Sequence, residues 1–293
     1  MKEGSPVQMI WRKRLVCVAL CAVSLPAMSS CGEAGEAEAA GEQTIAKPRW
    51  LGGTVEITDN SGTKTVPFQP KKVVALDPGI AVLLEDLGVD ADYGSTPAEV
   101  ARLEPDLVVI GAKTSHSPAD FGELAVVDLA PRKEQPLDWE VVRQAQVLGK
   151  IFGKEEEAKQ LDDDFSAALQ RARNAAKKSW TAAAVQVVDG KLVPQGKDGG
   201  KLFGPVMEMV GLEPVTLAEK PDVILVSEPS PLHTAESYQS TIRQLDKDPT
   251  MKNAPAVKKG NVYIAPYSTP PQGTLSAYTL MFNELANHWS AIY

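Results

Sequence analysis

Polar and charged side chains follow the ends of several short apolar segments of this chain. Carboxylate, hydroxyl, ammonium, guanidinium, imidazole and phenol groups of this kind bind small molecules through hydrogen bonds and charge. Neither a Gly-x-Ser-x-Gly nucleophile turn nor a complete phosphate-binding loop accompanies them, so the pattern favours a binding site over an enzyme. The residues that we predict to bind a ligand are Asp77, Lys113, His116, Arg132, Ser227, Glu228 and Tyr267.

Arg132 is the strongest single candidate among these residues. A planar guanidinium donates several hydrogen bonds at once to the carbonyl, carboxylate or other anionic oxygens of a small molecule. The alternative interpretation is an ordinary solvated arginine. Lys113 and Lys201 are candidates for a supporting positive charge.

Apolar strands alternate with helices along most of the chain, which is typical of parallel α/β sheets. A hairpin is predicted at residues 54–68. Further strands are predicted at residues 72–76, 107–110, 125–127, 183–188, 222–226 and 261–265. Ligands of doubly wound sheets bind beyond the carboxyl ends of the strands, and the candidate residues stand at those positions.

A long amphipathic helix is predicted between two α/β halves. Within residues 155–178, Ala158, Phe165 and Ala172 recur at helical spacing, with no interior glycine or proline. At 1.5 Å per residue this helix is about 36 Å long, which is enough to bridge two lobes. We therefore predict two small α/β lobes with parallel sheets at residues 54–152 and 180–293, a single connecting helix at residues 153–179, and a ligand cleft between the lobes.

The two halves also share a short sequence pattern. Pro105-Asp106 and Pro221-Asp222 each precede a four-residue apolar strand, and they occupy corresponding places in the two halves. The match favours an internal architectural repeat, although Pro-Asp before a strand also arises by coincidence.

Residues 1–30 have the form of an export signal, with a basic start and an uncharged apolar run of about 14 residues. Met28-Ser29-Ser30-Cys31 resembles a bacterial lipobox, with methionine in place of the usual leucine, which predicts a lipid anchor on Cys31. Residues 31–53 then contain the anchor and a flexible tether rich in Gly, Ala and Glu. A plain secretory signal with an incidental cysteine is the alternative.

Composition excludes several classes of protein. The chain has 293 residues, 43% of them hydrophobic, and a formal net charge of −8. Lys+Arg falls from 30 to 26 and Asp+Glu from 38 to 37 without residues 1–30, giving a mature net charge of −11. This balance argues against nucleic-acid binding, and the apolar content argues against a disordered or coiled-coil protein.

The ordered series of elements resembles the substrate-binding proteins of bacterial ABC importers for iron-siderophores, haem and cobalamin. The similarity covers roughly residues 54–290, and it rests on the hairpin and on residues 73–79, 105–111, 146–154 and 255–263. It implies two lobes on one rigid helix that move little relative to each other. It also implies a lipoprotein at the outer face of the cell membrane, which captures an iron chelate, most readily a ferric siderophore, and has no fixed cofactor.

The resemblance further implies delivery of the ligand to an ABC permease, with one carboxylate on each lobe docking onto permease arginines. Glu99 and Glu236 are the candidates, and Glu99 lies one residue from the expected place. Residues 90–101 and 212–221 form segments that are short for the family. An envelope scaffold that kept the fold without transport is therefore an alternative function.

Haem is an alternative ligand, because imidazole and phenolate both bind haem iron axially. His116 and Tyr267 would supply these groups, one from each half. Trp139 and Tyr93 either stack on an aromatic ligand or pack in the core or rim. A site for a free metal ion is disfavoured, because it needs about four N, O or S ligands and no His-rich loop is present.

Overall fold

A computed structural model of the protein describes residues 52–227, 235–265 and 274–292. All of them belong to one compact unit, Ala46–Tyr293. The strands are β1 Thr54–Asp59, β2 Gly62–Pro67, β3 Val73–Ala75, β4 Asp92–Tyr93, β5 Leu107–Ile110, β6 Val126–Asp128, β7 Thr181–Val188, β8 Lys191–Pro194, β9 Glu213–Pro214, β10 Val223–Ser227 and β11 Val262–Ala265. The α-helices are α1 Pro78–Asp86, α2 Pro97–Leu103, α3 Leu137–Phe152, α4 Glu155–Ala175, α5 Gly200–Val210, α6 Ala235–Lys247, α7 Pro255–Lys258 and α8 Leu275–Ile292. Two short 3-10 helices cover Pro118–Phe121 and Leu217–Glu219.

The described strands form two separate α/β sheets and one hairpin. The first sheet has the order β4-β3-β5-β6, and all of its pairs are parallel. The second has the order β11-β10-β7-β8, in which β10 pairs in parallel with β11 and β7, and β8 closes antiparallel on β7. Strands β1 and β2 pair antiparallel as the predicted hairpin. The predicted fold class, two α/β halves with parallel sheets, is confirmed.

The central strands of both sheets, such as β3, β5 and β10, are buried on both faces, which explains why they are continuously apolar. In β5, Leu107 and Val109 join the large central core, whereas Val108 and Ile110 join a smaller cluster with Val100 of α2. The outer face of the second sheet packs in a third cluster, which includes Leu245 of α6 and Ala256 of α7.

Helix α4 is the predicted long helix, and it ends at Ala175, a few residues earlier than expected. It packs against α3 and α8 along a buried stripe, in which Ala168 and Ala172 allow close approach and the rings of Phe165 and Phe282 lie 5.9 Å apart. The central core continues from β3 and β5 through these helices to β7 and β10. Helix α4 therefore packs on α3 and α8 along one face, and its opposite face is exposed. The lobe boundaries at residues 152 and 180 stay a prediction.

The internal repeat has a physical basis. In each half the aspartate of the Pro-Asp pair holds the start of the neighbouring parallel strand. Asp106 Oδ2 accepts the backbone N–H groups of Lys71 and Lys72 at 3.0 and 2.9 Å, directly before β3. Asp222 Oδ2 accepts the N–H of Thr181 at 3.3 Å, at the start of β7. The predicted repeat is thus a repeated strand anchor, which coincidence does not explain.

Helix α2 was not predicted from the sequence, although it begins with a capping box between Thr96 and Glu99.

None of the helices in the described ranges combines the length and the apolar composition that a membrane span requires.

Candidate ligand-binding edge

Three of the predicted ligand-binding segments lie at one edge of the first sheet. Strands β3, β5 and β6 are parallel neighbours, so the residues that follow them meet at their shared carboxyl end. Asp77 follows β3, Lys113 follows β5 and Arg132 follows β6. The Lys113 N–H donates to Asp77 Oδ2 at 2.5 Å, which shows that the first two segments meet.

Asp77 is committed to the backbone around it. Its Oδ1 accepts the N–H groups of Gly79 and Ile80 at 2.7 and 3.3 Å, which caps the start of α1. The residue is 4% exposed. A Cβ atom on Gly111 would lie 2.6 Å from that of Asp77, so only glycine permits this approach of the two loops. These contacts engage both carboxylate oxygens of Asp77 in holding the loop that carries Lys113, and a role of Asp77 in ligand binding stays a prediction.

Lys113 and His116 differ in how much of the side chain is available. Lys113 is exposed, and its described bond is made by the backbone. His116 is half-buried: its Nδ1 lies 3.7 Å from Asp120 Oδ2, and its ring meets Phe121 edge-on at 6.0 Å. The His116 ring is thus already supported on two sides by its own loop.

Arg132 takes part in a three-residue charge cluster that we name the Arg132–Glu140–Arg143 cluster. Glu140 Oε1 accepts Arg132 Nε and Nη2 at 2.9 and 2.5 Å. Glu140 Oε2 accepts the Arg132 backbone N–H at 3.0 Å and Arg143 Nη2 at 2.7 Å. Glu140 is 0% exposed, whereas the Arg132 side chain remains 49% exposed. A buried anion therefore holds a cation that faces solvent.

The cluster also ties the hairpin to this edge. Arg143 Nη2 donates to Asn60 Oδ1 at 3.2 Å and to the Ala130 carbonyl at 3.3 Å. Asn60 lies in the turn between β1 and β2, and its Nδ2 donates to the same Ala130 carbonyl at 2.8 Å. Hairpin, strand β6 and helix α3 are consequently joined beside Arg132.

The electrostatics of Glu140 follow from this geometry. Burial raises the pKa of Glu140, but the hydrogen bonds from Arg132 and Arg143 outweigh it and bring the pKa to about 2, below its ordinary 4.5. The carboxylate is therefore charged throughout the physiological pH range. The sequence signal for this residue is a carboxylate within the buried stripe of α3, together with Val141, Gln144 and Leu148, which the sequence interpretation overlooked.

A groove of about 340 Å³ runs between the hairpin and α3, beside the cluster. Asp59 in its wall is paired with Lys64 at 2.5 Å. Arg132, Arg143 and Lys150 contribute three positive charges to the lining. The full lining is Ile57, Thr58, Asp59, Arg132, Arg143, Gln146, Val147 and Lys150.

The second half presents a larger depression of about 650 Å³ along α5. Lys201 lies in the first turn of this helix, after a glycine-rich loop in which Gly199 and Gly200 both have positive φ. A Cβ atom on Gly204 would lie 2.5 Å from the Asp198 carbonyl oxygen, so the loop packs directly on the helix. The supporting lysine proposed from the sequence thus has a surface concavity beside it.

The remaining predicted residues divide into described and undescribed ones. Ser227 is half-buried at the end of β10, in register with Ala265 of β11. Glu228, Tyr267 and Cys31 lie outside the described residues, as does the side chain of Glu236. The opposition of His116 and Tyr267 across a cleft therefore stays a prediction.

The two aromatic candidates are not core residues. Trp139 is 67% exposed and Tyr93 is 57% exposed. Trp139 directly precedes Glu140 in the first turn of α3, and Tyr93 ends β4 at the same edge as Asp77. Among the described residues, no group of three or more His, Cys, Asp or Glu side chains is arranged to hold a metal ion.

This fold and this edge define a binding protein with two α/β halves. A family profile described as "Periplasmic binding protein" matches residues 50–269, and the chain belongs to that family. The family resemblance drawn from the sequence is thereby confirmed.

Particular relatives extend the comparison. The chain is 27% identical over 276 residues to the petrobactin-binding protein YclQ of Bacillus subtilis (strain 168), covering 78% of this chain and 84% of the relative. The crystal structure of YclQ matches with a TM-score of 0.61 and 21% identity, over 81% of this chain and 99% of that one.

Two further solved structures share the fold. The siderophore-binding protein BauB, bound to a complex between two molecules of acinetobactin and ferric iron, matches with a TM-score of 0.65 and 16% identity, over 81% of this chain and 99% of that one. The catecholate-siderophore binding protein VctP from Vibrio cholerae gives a TM-score of 0.63 and 18% identity, over 80% and 99%. At these identities the structural likeness establishes the fold alone.

The depressed pKa of Glu140 makes a prediction about acid stability. A carboxylate with a lowered folded-state pKa stabilises the protein above its unfolded pKa, and loses that contribution as the pH falls towards the folded value. Glu140→Gln removes this contribution, worth up to about 3 kcal/mol at neutral pH. We expect the difference in free energy of unfolding between the wild type and Glu140→Gln to shrink between pH 5 and pH 2, measured by urea unfolding.

Glu134→Gln is the matched control, because Glu134 is an exposed carboxylate in the loop before α3. Its difference from the wild type should stay within about 0.5 kcal/mol and vary little with pH. A Glu140→Gln difference that is constant across this pH range would contradict the prediction.

Proposed function

We propose that the protein captures a ferric siderophore outside the cytoplasm and delivers it to the permease of an ABC importer. The observation that carries the proposal is the match over 78% of the chain to a petrobactin-binding protein, within a family of binding proteins. These relatives also support a binding protein rather than an enzyme.

The charge at the candidate edge supports an anionic ligand. Arg132 faces solvent with a half-exposed guanidinium, and Lys113 stands at the end of the neighbouring strand. The chain as a whole carries a net charge of −8, so a local excess of cations is needed to attract a negatively charged chelate. Ferric catecholates and carboxylates meet this requirement, and their oxygens accept hydrogen bonds from a guanidinium.

Haem is the weaker candidate ligand. Its axial ligands would be His116 and Tyr267. Asp120 lies on the Nδ1 side of the His116 ring, so Nε2 would be the atom that binds iron. Among the named relatives, YclQ is a petrobactin-binding protein, BauB was solved with acinetobactin and ferric iron, and VctP is a catecholate-siderophore binding protein.

The envelope-scaffold alternative rests on the segments at residues 90–101 and 212–221, which are short for the family.

Ligand titration tests the proposed function and the role of Arg132 together. We expect quenching of tryptophan fluorescence on addition of a ferric catecholate siderophore such as ferric petrobactin, and Arg132→Ala should weaken binding by about 1–3 kcal/mol because it removes charge-assisted hydrogen bonds. Lys133→Ala, the exposed neighbour, is the matched control and should bind as the wild type does.

The panel should also contain haem and cobalamin. Saturable binding of haem alone would replace the siderophore with the alternative ligand. No saturable binding to any member would favour the scaffold. Wild-type affinity in Arg132→Ala would remove Arg132 from the site.

The proposed location of the protein includes a lipid anchor on Cys31. Its support is the lipobox-like sequence that ends at Cys31, followed by a tether of small and acidic residues. Lipidation of this cysteine would hold the binding domain at the outer face of the membrane, near its permease.

Replacing the anchor residue tests this directly. Cys31→Ser should release the protein from the membrane fraction into the soluble fraction, since no acyl chain can be attached to serine at a lipobox. Cys17→Ser, inside the predicted signal, is the matched control and should stay with the membranes. Membrane retention of the Cys31→Ser protein would disprove the anchor.

For permease docking we propose Glu99 in the first half. Its Oε2 accepts the N–H groups of Ser95 and Thr96 and the Ser95 hydroxyl, and the Ser95 side-chain bond, the largest cause, lowers the pKa of Glu99. Glu99 is exposed, so a charged and well-oriented carboxylate faces solvent.

Two carboxylates are candidates in the second half. The sequence favours Glu236, whereas the capping boxes of the structure suggest Glu219. Glu219 likewise closes a capping box, here with Thr216, directly before the Pro-Asp strand anchor. We favour Glu219, because Glu99 and Glu219 are both exposed capping-box carboxylates that precede a Pro-Asp strand.

Charge reversal separates these candidates. Glu99→Lys and Glu219→Lys should each lower uptake of the ferric chelate by cells that depend on this protein, without changing chelate affinity, because only the permease contact is reversed. Glu236→Lys should leave uptake unchanged. Full uptake in Glu99→Lys would contradict docking through Glu99, and a loss in Glu236→Lys alone would restore Glu236.

A further inference from the structure

Glu140 makes more contacts than a structural ion pair requires. One buried carboxylate accepts from the Nε and Nη2 of Arg132, from the Arg132 backbone, and from the Nε and Nη2 of Arg143. The side chain and the backbone of Arg132 are therefore both fixed by the same anion. A surface arginine without such a partner samples many rotamers.

The bonds to Glu140 leave a defined part of Arg132 available. Nε and Nη2 face Glu140, and within the described part of the chain Nη1 has no protein partner. The side chain is nevertheless half exposed. The unused donors thus point away from the buried carboxylate, and the rotamer that presents them is set before any ligand arrives, which lowers the entropic cost of binding.

We infer that Glu140 is a positioning residue for ligand binding, which holds the Arg132 guanidinium in the orientation that meets the anionic oxygens of a ferric chelate. This inference rests on the proposed function and on the place of Arg132 in the binding site. It adds a residue that never touches the ligand and that acts through Arg132.

The sign of the charge makes the inference testable. Glu140→Gln removes one negative charge from beside the site, so electrostatics alone would strengthen the binding of an anionic chelate. Loss of positioning acts in the opposite direction, because the amide has one acceptor oxygen where the carboxylate has two. If that oxygen accepts from Arg132 Nε and Nη2, the NH2 group faces the Arg132 backbone N–H and the Arg143 donors, which Glu140 Oε2 accepts in the wild type. A weaker affinity in Glu140→Gln therefore reports positioning and not charge.

The experiment is a double-mutant cycle on the dissociation constant of ferric petrobactin, using the wild type, Glu140→Gln, Arg132→Gln and the double variant. We expect Glu140→Gln to weaken binding roughly tenfold, and to leave binding equal or slightly tighter when Arg132 is already replaced, because only the effect of the charge then remains. Glu134→Gln is the matched control. Glu134 is an exposed carboxylate in the loop that carries Arg132, so this variant removes one negative charge without changing the contacts of Arg132, and it should bind at least as tightly as the wild type.

Glu140→Asp provides a second variant in case the glutamine protein folds poorly. This variant keeps the charge but shortens the side chain by one methylene. The carboxylate then cannot reach the donors of Arg132 and those of Arg143 at the same time. It should therefore also weaken binding, and only when Arg132 is present. Circular dichroism at the assay temperature, together with a thermal melt, establishes that each variant is folded under the conditions of the binding assay.

Three results would overturn the inference. They are unchanged or tighter binding in both Glu140 variants, an equal loss in the presence and absence of Arg132, and an equal loss in Glu134→Gln. Failure of the proposed function is distinguishable from these, since it shows as absent binding of the ferric chelate to the wild-type protein.

Discussion

The buried carboxylate of Glu140 is the interaction on which the edge of the first sheet depends. A buried charge is costly unless it is compensated, and here two guanidinium groups and one backbone N–H compensate it. Through Arg143 the same anion reaches the hairpin turn at Asn60 and the Ala130 carbonyl after β6. Loss of Glu140 would leave two arginines without their shared anion at the junction of three elements. The packing at this junction and the orientation of the Arg132 side chain consequently depend on the same carboxylate.

A second constraint is the repeated strand anchor. Asp106 and Asp222 each fix the start of a central parallel strand, and the residue before each Pro-Asp pair, Glu104 or Lys220, adopts a left-handed conformation with φ of 47° or 57°. This turn brings the proline and aspartate into line with the next strand in both halves. The repeat therefore fixes the start of one central parallel strand in each half.

The parts of the fold that depend on local periodicity could be predicted from the sequence. The hairpin, the strands around Val108 and Ile224, and helices α3 and α4 all carry their burial pattern in the order of their residues. Helix α2 was overlooked although Thr96 and Glu99 spell a capping box, because its seven residues are too few for a clear period.

The chemistry of the site was harder to predict than the fold. Position at a strand end correctly brought Asp77 and Lys113 together, but it does not reveal whether a carboxylate is already used by backbone N–H groups, as that of Asp77 is. Arg132 was selected by type, whereas its partner Glu140 lies in a helix eight residues away. Such pairings are set by tertiary packing, and a single sequence records them only as a charged residue in an apolar stripe.

The continuity of the central core has a consequence for how the receptor would use its permease under the proposed function. Side chains from both sheets pack against α3, α4 and α8 in one cluster, so a wide separation of the halves would expose buried surface at about 25 cal/mol per Å². Under the proposed function, the empty and loaded forms of such a receptor would differ little in shape, and empty copies would compete with loaded copies for the same permease. The ratio of receptor to transporter, and not receptor abundance alone, would set the rate at which iron enters the cell.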